Sequence, residues 1–327
     1  MRNRITKLVV LICLVAFSVT ALAGCPGKTK KPMPPGNGSA EADGFNGKEP
    51  TIKLYVNETG ELKKIKLEEY LKGVVAAEMD TSWPVNALAA QAILARTFTL
   101  KQMKTKGGVP QHKADASTSV EEFQAYDSKK INNNVIKAVD MTRGKVVKYK
   151  GEFVNAWFSA CDGGQSATAA EGLAYHKEKT PYLKAGAKDG CMQVTVPENK
   201  SWTVRFPLET VRSAVLKVTG KDTGDITSAN VKIVNRGASG RAEILQVGKA
   251  TVSGPALRLA LGSDKMRSIY IDKFTVEGYN LVIHGKGFGH GVGMCQWGAK
   301  GMADRKKSPE DIVSFYFRNT TISKVWK

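Results

Sequence analysis

The sequence predicts an α+β fold, built either as one large domain or as two packed lobes. Helical and strand periodicities follow one another along the chain without the strict strand–helix–strand repetition of a parallel sheet, and no segment recurs at a fixed period. The 327 residues are 42% hydrophobic and 24% charged. Such a composition supports a sizeable core and excludes both a wholly disordered chain and a many-span membrane protein.

The first 24 residues read as an export signal rather than as part of the fold. Arg2, Arg4 and Lys7 precede an apolar run over 8–22, which ends in Leu22-Ala23-Gly24-Cys25. That ending resembles a bacterial lipoprotein box, with Cys25 as the lipidated residue. A plain membrane-anchor helix is the alternative, and it leaves the same domain outside the cell. Residues 26–50, rich in Pro, Gly, Lys and Ser, read as a solvated linker. The domain proper is expected over 51–327, extracytoplasmic and tethered by lipid to the outer face of the cytoplasmic membrane.

Lys and Arg number 49 against 30 Asp and Glu, a net charge of +19, and removal of the signal leaves +16. Outside the cell this favours anionic lipids and wall polymers over nucleic acid. Five cysteines are too few for a disulfide scaffold. Cys13 leaves with the signal and Cys25 carries lipid. An oxidising exterior makes Cys161 and Cys191 candidates for a disulfide, which leaves Cys295 unpaired.

TIKLYV, from Thr51, reads as a strand. Leu67, Tyr70, Leu71, Val74 and Val75 then share one face of a helix, and the next position on that stripe is Glu78. Glu68 and Glu69 fall on the polar face. A second helix is expected from a Ser82 cap, with Pro84 in its first turn, to about Lys104. Arg96 occupies its apolar stripe. A helix over 129–141, a hairpin of 145–149 with 152–159, and a loop-rich 162–201 follow. Strands are expected at 241–248 and 269–284, with a short helix at 255–261 between them. A glycine-dense turn, GKGFGHGVG, leads into helices over 294–305 and from Ser308.

Charged groups on apolar stripes must be paired or used. Glu78, among Val74, Val75, Ala76, Ala77 and Met79, has the surroundings of a carboxyl with a raised pKa, which suits a general acid. It could equally pair with Arg96 in the core. Glycines at 285, 287, 289, 291 and 293 bracket His290, with Gln296 and Trp297 at a helix start. Alternating glycines allow close backbone approach, and Trp, Gln and His suit a sugar. A tight structural turn is the other reading. No Lys-Ser/Thr pair follows the glycines, which argues against a phosphate loop. Cys295 with His290, or Cys161 with His176, lacks the surroundings of a cysteine hydrolase. A zinc site drawn from His112, His176, Cys161 and Cys191 has no compact spacing. No metal and no cofactor are expected.

The blocks EYLKGVVAAEM (69–79), Ser82-Trp83-Pro84 and ALAAQAILART (87–97) closely resemble the stage II sporulation protein D family. GFGHGVGM (287–294), Gln296-Trp297-Gly298-Ala299 and Phe315-Tyr316 do so as well, and the resemblance spans nearly all of the chain from Thr51. It implies a peptidoglycan lytic transglycosylase or, within the same family, an amidase enhancer. The first would cut the MurNAc–GlcNAc bond of glycan strands, preferably peptide-stripped ones, leaving 1,6-anhydro ends, with an amidase as partner during sporulation or wall remodelling. Its catalytic glutamate corresponds to Glu78. Ser159, Gly163, Gly164, Gly289, His290, Gln296 and Trp297 are expected to line the glycan groove, and Arg96 to be either a groove contact or a structural partner. The second reading is a non-catalytic peptidoglycan-binding protein that enhances an N-acetylmuramoyl-L-alanine amidase. Some members carry a zinc cluster after the second helix. Here Ser117, Glu122 and Phe123 stand in that stretch beside His112, so that site is expected to be lost. The family's His-Ser-Thr-Ser-Gly-Gly turn is replaced by FSACDGG (158–164).

Overall fold

A computed structural model describes residues 47–327. The expected signal, Cys25 and all but the end of the linker lie outside the described residues. No helix among the described residues is long and apolar enough to cross a membrane.

The architecture is α+β. Strand β1 (Thr51–Val56) buries Ile52 and Leu54 and pairs antiparallel with β2 (Glu61–Lys66). Four of the six side chains of β2 are charged and it is largely exposed, so its alternation was too weak to read in sequence. Helix α1 (Leu67–Glu78) is followed by α2 (Val85–Lys106), which Gly107 closes in the left-handed conformation. Ser82 does not cap α2; its hydroxyl donates to Asp80 Oδ1 at 2.7 Å. From Ala87 to Leu100 every residue of α2 is buried, because alanines on each face let its neighbours close in all round. The expected single stripe is therefore a whole cylinder.

Strand β3 (Ala116–Ser117) adds to β1 in parallel. Asn132 caps α3 (Asn133–Met141) by accepting the Val135 N–H at 3.1 Å, four residues later than the expected start. The hairpin is formed by β4 (Lys145–Tyr149) and β5 (Glu152–Phe153), while β6 (Phe158–Ser159) breaks away to pair elsewhere. The loop-rich stretch contains three short helices, α4 (Ala169–Leu173), α5 (Cys191–Val194) and α6 (Pro197–Lys200).

A second hydrophobic core then begins and ends within one continuous stretch. It holds β7 (Trp202–Pro207), α7 (Leu208–Thr219), β8 (Val231–Arg236), β9 (Ala242–Val247) and β10 (Ala250–Ser253). Helix α8 (Gly254–Leu261), β11 (Ile271–Glu277) and β12 (Asn280–Gly285) complete it. Its sheets run β10-β9-β8 and β11-β12-β7, all antiparallel. Val211, Ala214 and Val215 of α7 carry a helical period that the sequence does display.

The chain returns to the first core through β13 (Met294–Cys295), α9 (Gln296–Asp304), α10 (Pro309–Tyr316) and β14 (Thr321–Lys324). There β13 pairs in parallel with β6, and β14 antiparallel with β4. Ser308 caps α10 in a reciprocal box with Asp311, as its sequence predicts. Two cores thus serve one chain, the second inserted into the first.

Candidate functional site

Glu78 is the last residue of α1; Met79 is already extended, so the carboxyl sits where the helix lets go of the chain. It is 5% exposed. Its Oε1 accepts one backbone hydrogen bond, from the Ala125 N–H at 3.1 Å. Burial pushes the carboxyl up to about 8, and the Ala125 N–H draws it back only in part. The segment that supplies this N–H lies against α1 because residue 73 is glycine. A Cβ there would stand 2.2 Å from the Tyr126 ring, and the Asp127 N–H donates to the Gly73 carbonyl at 3.0 Å.

Residues from the far end of the sequence close over this point. Gln296, the first residue of α9, donates Nε2 to the Glu78 backbone carbonyl at 3.2 Å and to Gln91 Oε1 at 3.4 Å. Trp297 and Trp83, both half-buried, meet with ring centroids 4.6 Å apart and planes tilted by 56°. The β13–β6 pairing sets Cys295 opposite Ser159. Ser159 Oγ and Gln91 Nε2 are buried without a hydrogen-bond partner. Unpaired buried polar atoms are uncommon in a folded core, and these two belong to the side chain that meets Gln296 and to the strand that pairs with β13. Sequence reasoning did not single out Gln91 or Ala125. Gln91 offered a signal, a polar side chain in a stretch, 87–95, otherwise made of alanine, leucine and isoleucine.

Arg96 resolves as a structural residue. It is fully buried and turned away from Glu78 onto Glu68, with Nε to Oε1 at 3.0 Å and Nη2 to Oε2 at 2.5 Å. The Gly144 N–H and Trp326 Nε1 each donate to the same Oε1 at 2.9 Å. Glu68, expected on the polar face, is therefore a buried acceptor fixed by four donors. Its location follows from the last strand and C-terminal residues folding over α1, which helical periodicity alone cannot show.

The glycine-dense segment approaches the protein's own backbone. At Gly293, with φ +74°, a Cβ would lie 2.0 Å from the Trp157 carbonyl oxygen, and at Gly289 2.9 Å from Ser159 Cβ. Bridges Cys161↔Phe288 and Ala167↔Val292 continue the contact. His290 lies inside this turn, 5% exposed, with Nδ1 accepting the Val292 N–H at 3.0 Å. Burial, reinforced by Arg258 and Arg241, holds its ring near 3, neutral at any physiological pH. Gly163 and Gly164 follow β6, and the Gly164 N–H donates to Asp162 Oδ1 at 2.9 Å. Gln296 thus touches Glu78, Trp297 meets Trp83 and Ser159 faces Cys295, whereas His290 and Gly289 brace the glycine-dense turn.

Where a zinc cluster was expected to be lost, His112 stacks on Tyr55 with centroids 3.6 Å apart. Glu122 accepts from the Ser117 hydroxyl and pairs with His112 Nε2, each at 2.8 Å. The Cys161 and Cys191 sulfurs are neighbours at 3.6 Å and unbridged, and Cys295 joins them.

Comparison with known proteins matches residues 55–149 to the family model described as Stage II sporulation protein. The chain is 30% identical over 290 residues to the stage II sporulation protein D of Bacillus subtilis, covering 84% of this chain and 79% of that protein. It is 31% identical over 305 residues to the protein of the same name from Bacillus amyloliquefaciens, covering 85% and 82%. It is also 30% identical over 296 residues to the amidase enhancer of B. subtilis, covering 77% of this chain and 40% of that protein.

Proposed function

This chain belongs to the stage II sporulation protein D family, and on that premise we propose that it is a lytic transglycosylase acting on peptidoglycan glycan strands with Glu78 as its single acid and base. The observation that carries the reading is the state of that carboxyl: buried, near 8, and served by one backbone N–H. A carboxyl with that value is protonated at neutral pH and can donate to the glycosidic oxygen as the bond to C1 breaks. The resulting carboxylate, in the same dry position, is a strong enough base to take the proton of the sugar's own C6 hydroxyl as its oxygen bonds to C1. The proton count closes on one residue, and no water needs a second carboxylate. Trp83 and Trp297 supply a tilted aromatic platform for the pyranose rings.

We place the domain outside the cell, held to the membrane face by lipid on Cys25 and working beside an amidase in the degradation of sporulation or vegetative wall. The net positive charge supports attraction to anionic wall polymer. The second reading, an amidase enhancer without lytic activity, is supported by the similarity to the B. subtilis protein of that name.

One experiment separates the two. Wild type and Glu78→Gln are incubated with glycan strands carrying or lacking peptide stems, and the fragments are read by mass spectrometry. Anhydro-muramic ends from wild type alone support the transglycosylase. Identical profiles without such ends, from folded proteins that bind strands and stimulate an amidase, support the enhancer.

A further inference from the structure

Three cysteines that are far apart in sequence meet at one point. Cys161 follows β6, Cys191 opens α5 and Cys295 ends β13, and each is at most 1% exposed. Their sulfurs lie within 4.8 Å of one another, with Cys161 and Cys191 at 3.6 Å. Carboxylate oxygens of Asp162 and Asp189 lie within the same distance of the Cys191 and Cys295 sulfurs. Both aspartates are buried, and Asp162 Oδ2 has no hydrogen-bond partner.

Around this cluster the hydrogen bonds point inward. The backbone N–H groups of Asp162 and Gly298 donate to Cys295 Sγ at 3.4 and 3.3 Å. The Tyr316 hydroxyl and the Cys191 N–H hold the two oxygens of Asp189 at 2.6 and 2.8 Å. Cys191 donates to Asp162 Oδ1 at 3.1 Å. Arg241 approaches, but its Nη2 is spent on the Asp162 backbone carbonyl, at 2.5 Å. Five acidic groups therefore share a dry pocket in which one carboxylate oxygen is unanswered, a costly arrangement unless a cation completes it. Three sulfurs with oxygen are the donors of tetrahedral zinc. Sulfurs about 2.3 Å from such an ion stand about 3.8 Å apart, close to the spacing found between Cys161 and Cys191. N–H groups aimed at a sulfur are the outer shell a metal thiolate needs.

We infer that Cys161, Cys191 and Cys295 bind one zinc ion, with a carboxylate oxygen of Asp162 or Asp189 in the fourth position. The thiols give up their protons to solvent as the ion binds, and four protein ligands close the site to substrate. The ion ties the loop after β6 and helix α5 to the start of α9, where Gln296 and Trp297 stand. It is separate from the carboxyl chemistry of Glu78, and its test reads metal rather than cleavage.

The test uses the full chain with Cys13→Ser and Cys25→Ser, reduced, stripped of metal and titrated with Co²⁺. One ion per chain is expected, with an intense sulfur-to-cobalt charge-transfer band and the visible bands of tetrahedral cobalt, both abolished by added Zn²⁺. Zinc should also shield Cys161, Cys191 and Cys295 from alkylation, read by peptide mass, until a chelator is added. Cys295→Ser should weaken Co²⁺ binding at least tenfold. Absence of the charge-transfer band in the folded parent chain would overturn the inference, whatever the variant does. So would recovery of Cys161 and Cys191 as a disulfide from protein handled without oxygen.

Discussion

Arg96 and Glu68 form a two-pronged ion pair between α2 and α1, at 3.0 and 2.5 Å, with the arginine wholly shielded from solvent. The pair leaves Glu78, on the same helix as Glu68, without the cation its sequence neighbourhood offered. Two glutamates ten positions apart thereby take opposite environments. One is a saturated anion; the other is a carboxyl that burial keeps protonated.

Breaking that pair should be expensive. Arg96→Met strands Glu68 in the core and should cost about 3–5 kcal/mol, as should Glu68→Leu, while the double variant should cost much less than their sum. Urea unfolding of the three proteins gives the coupling.

The raised carboxyl of Glu78 links stability to pH with a definite sign. Its folded value lies above the ordinary 4.5, so its stabilising contribution is full below about 4.5 and is lost as pH rises through about 8. Glu78→Gln removes the penalty. Its melting temperature should therefore rise relative to wild type across that interval, by an amount equivalent to a few kcal/mol at most. Calorimetry of both proteins at several pH values reads this directly. Under the proposed mechanism, wild-type cleavage should fall as pH passes about 8, because the acid is then ionised.

His290 moves in the other direction. Its folded value, near 3, lies below the ordinary 6.5, so the stability it contributes is full above 6.5 and drains away as pH falls through about 3. Its imidazole proton shifts should stay constant between about pH 7 and about pH 5, where an exposed histidine titrates.

The tryptophan pair should act on binding. In a Glu78→Gln background, Trp297→Ala should weaken affinity for glycan strands roughly tenfold, about 1.4 kcal/mol, and Trp297→Phe by less. Titration calorimetry with defined strands decides it.

Gly293→Ala should cripple folding. The new methyl group would enter a left-handed position 2.0 Å from the Trp157 carbonyl oxygen, which belongs to backbone and cannot swing aside. A loss of more than about 2 kcal/mol is expected, read as soluble yield and denaturant midpoint.

Much of the site could be read from local pattern. The apolar stripe that ends in Glu78 and the Ser308 cap depend on neighbours a few residues away, and both stand as the sequence predicts. What was illegible arises over long range. Glu68 reads as a surface residue until Trp326, 258 positions later, donates to it. Alternating glycines signal close approach but not what approaches, and here it is the 157–161 backbone. Cys295 reads as solitary because its neighbours arrive from separate loops. Within the inserted lobe β8 is illegible because it carries mixed polarity, although α7 has a legible period.

The inserted lobe enters and leaves the first core at adjacent points, since Trp202 and Gly285 are partners in one antiparallel ladder. Once that lobe has folded, its ends are already together. The first core then closes over it at the entropic cost of a tight turn, however many residues the lobe contains. The lobe thus acts as a clasp: it returns the chain beside the point where it left, so that Gln296 reaches the Glu78 backbone carbonyl 218 positions away in sequence.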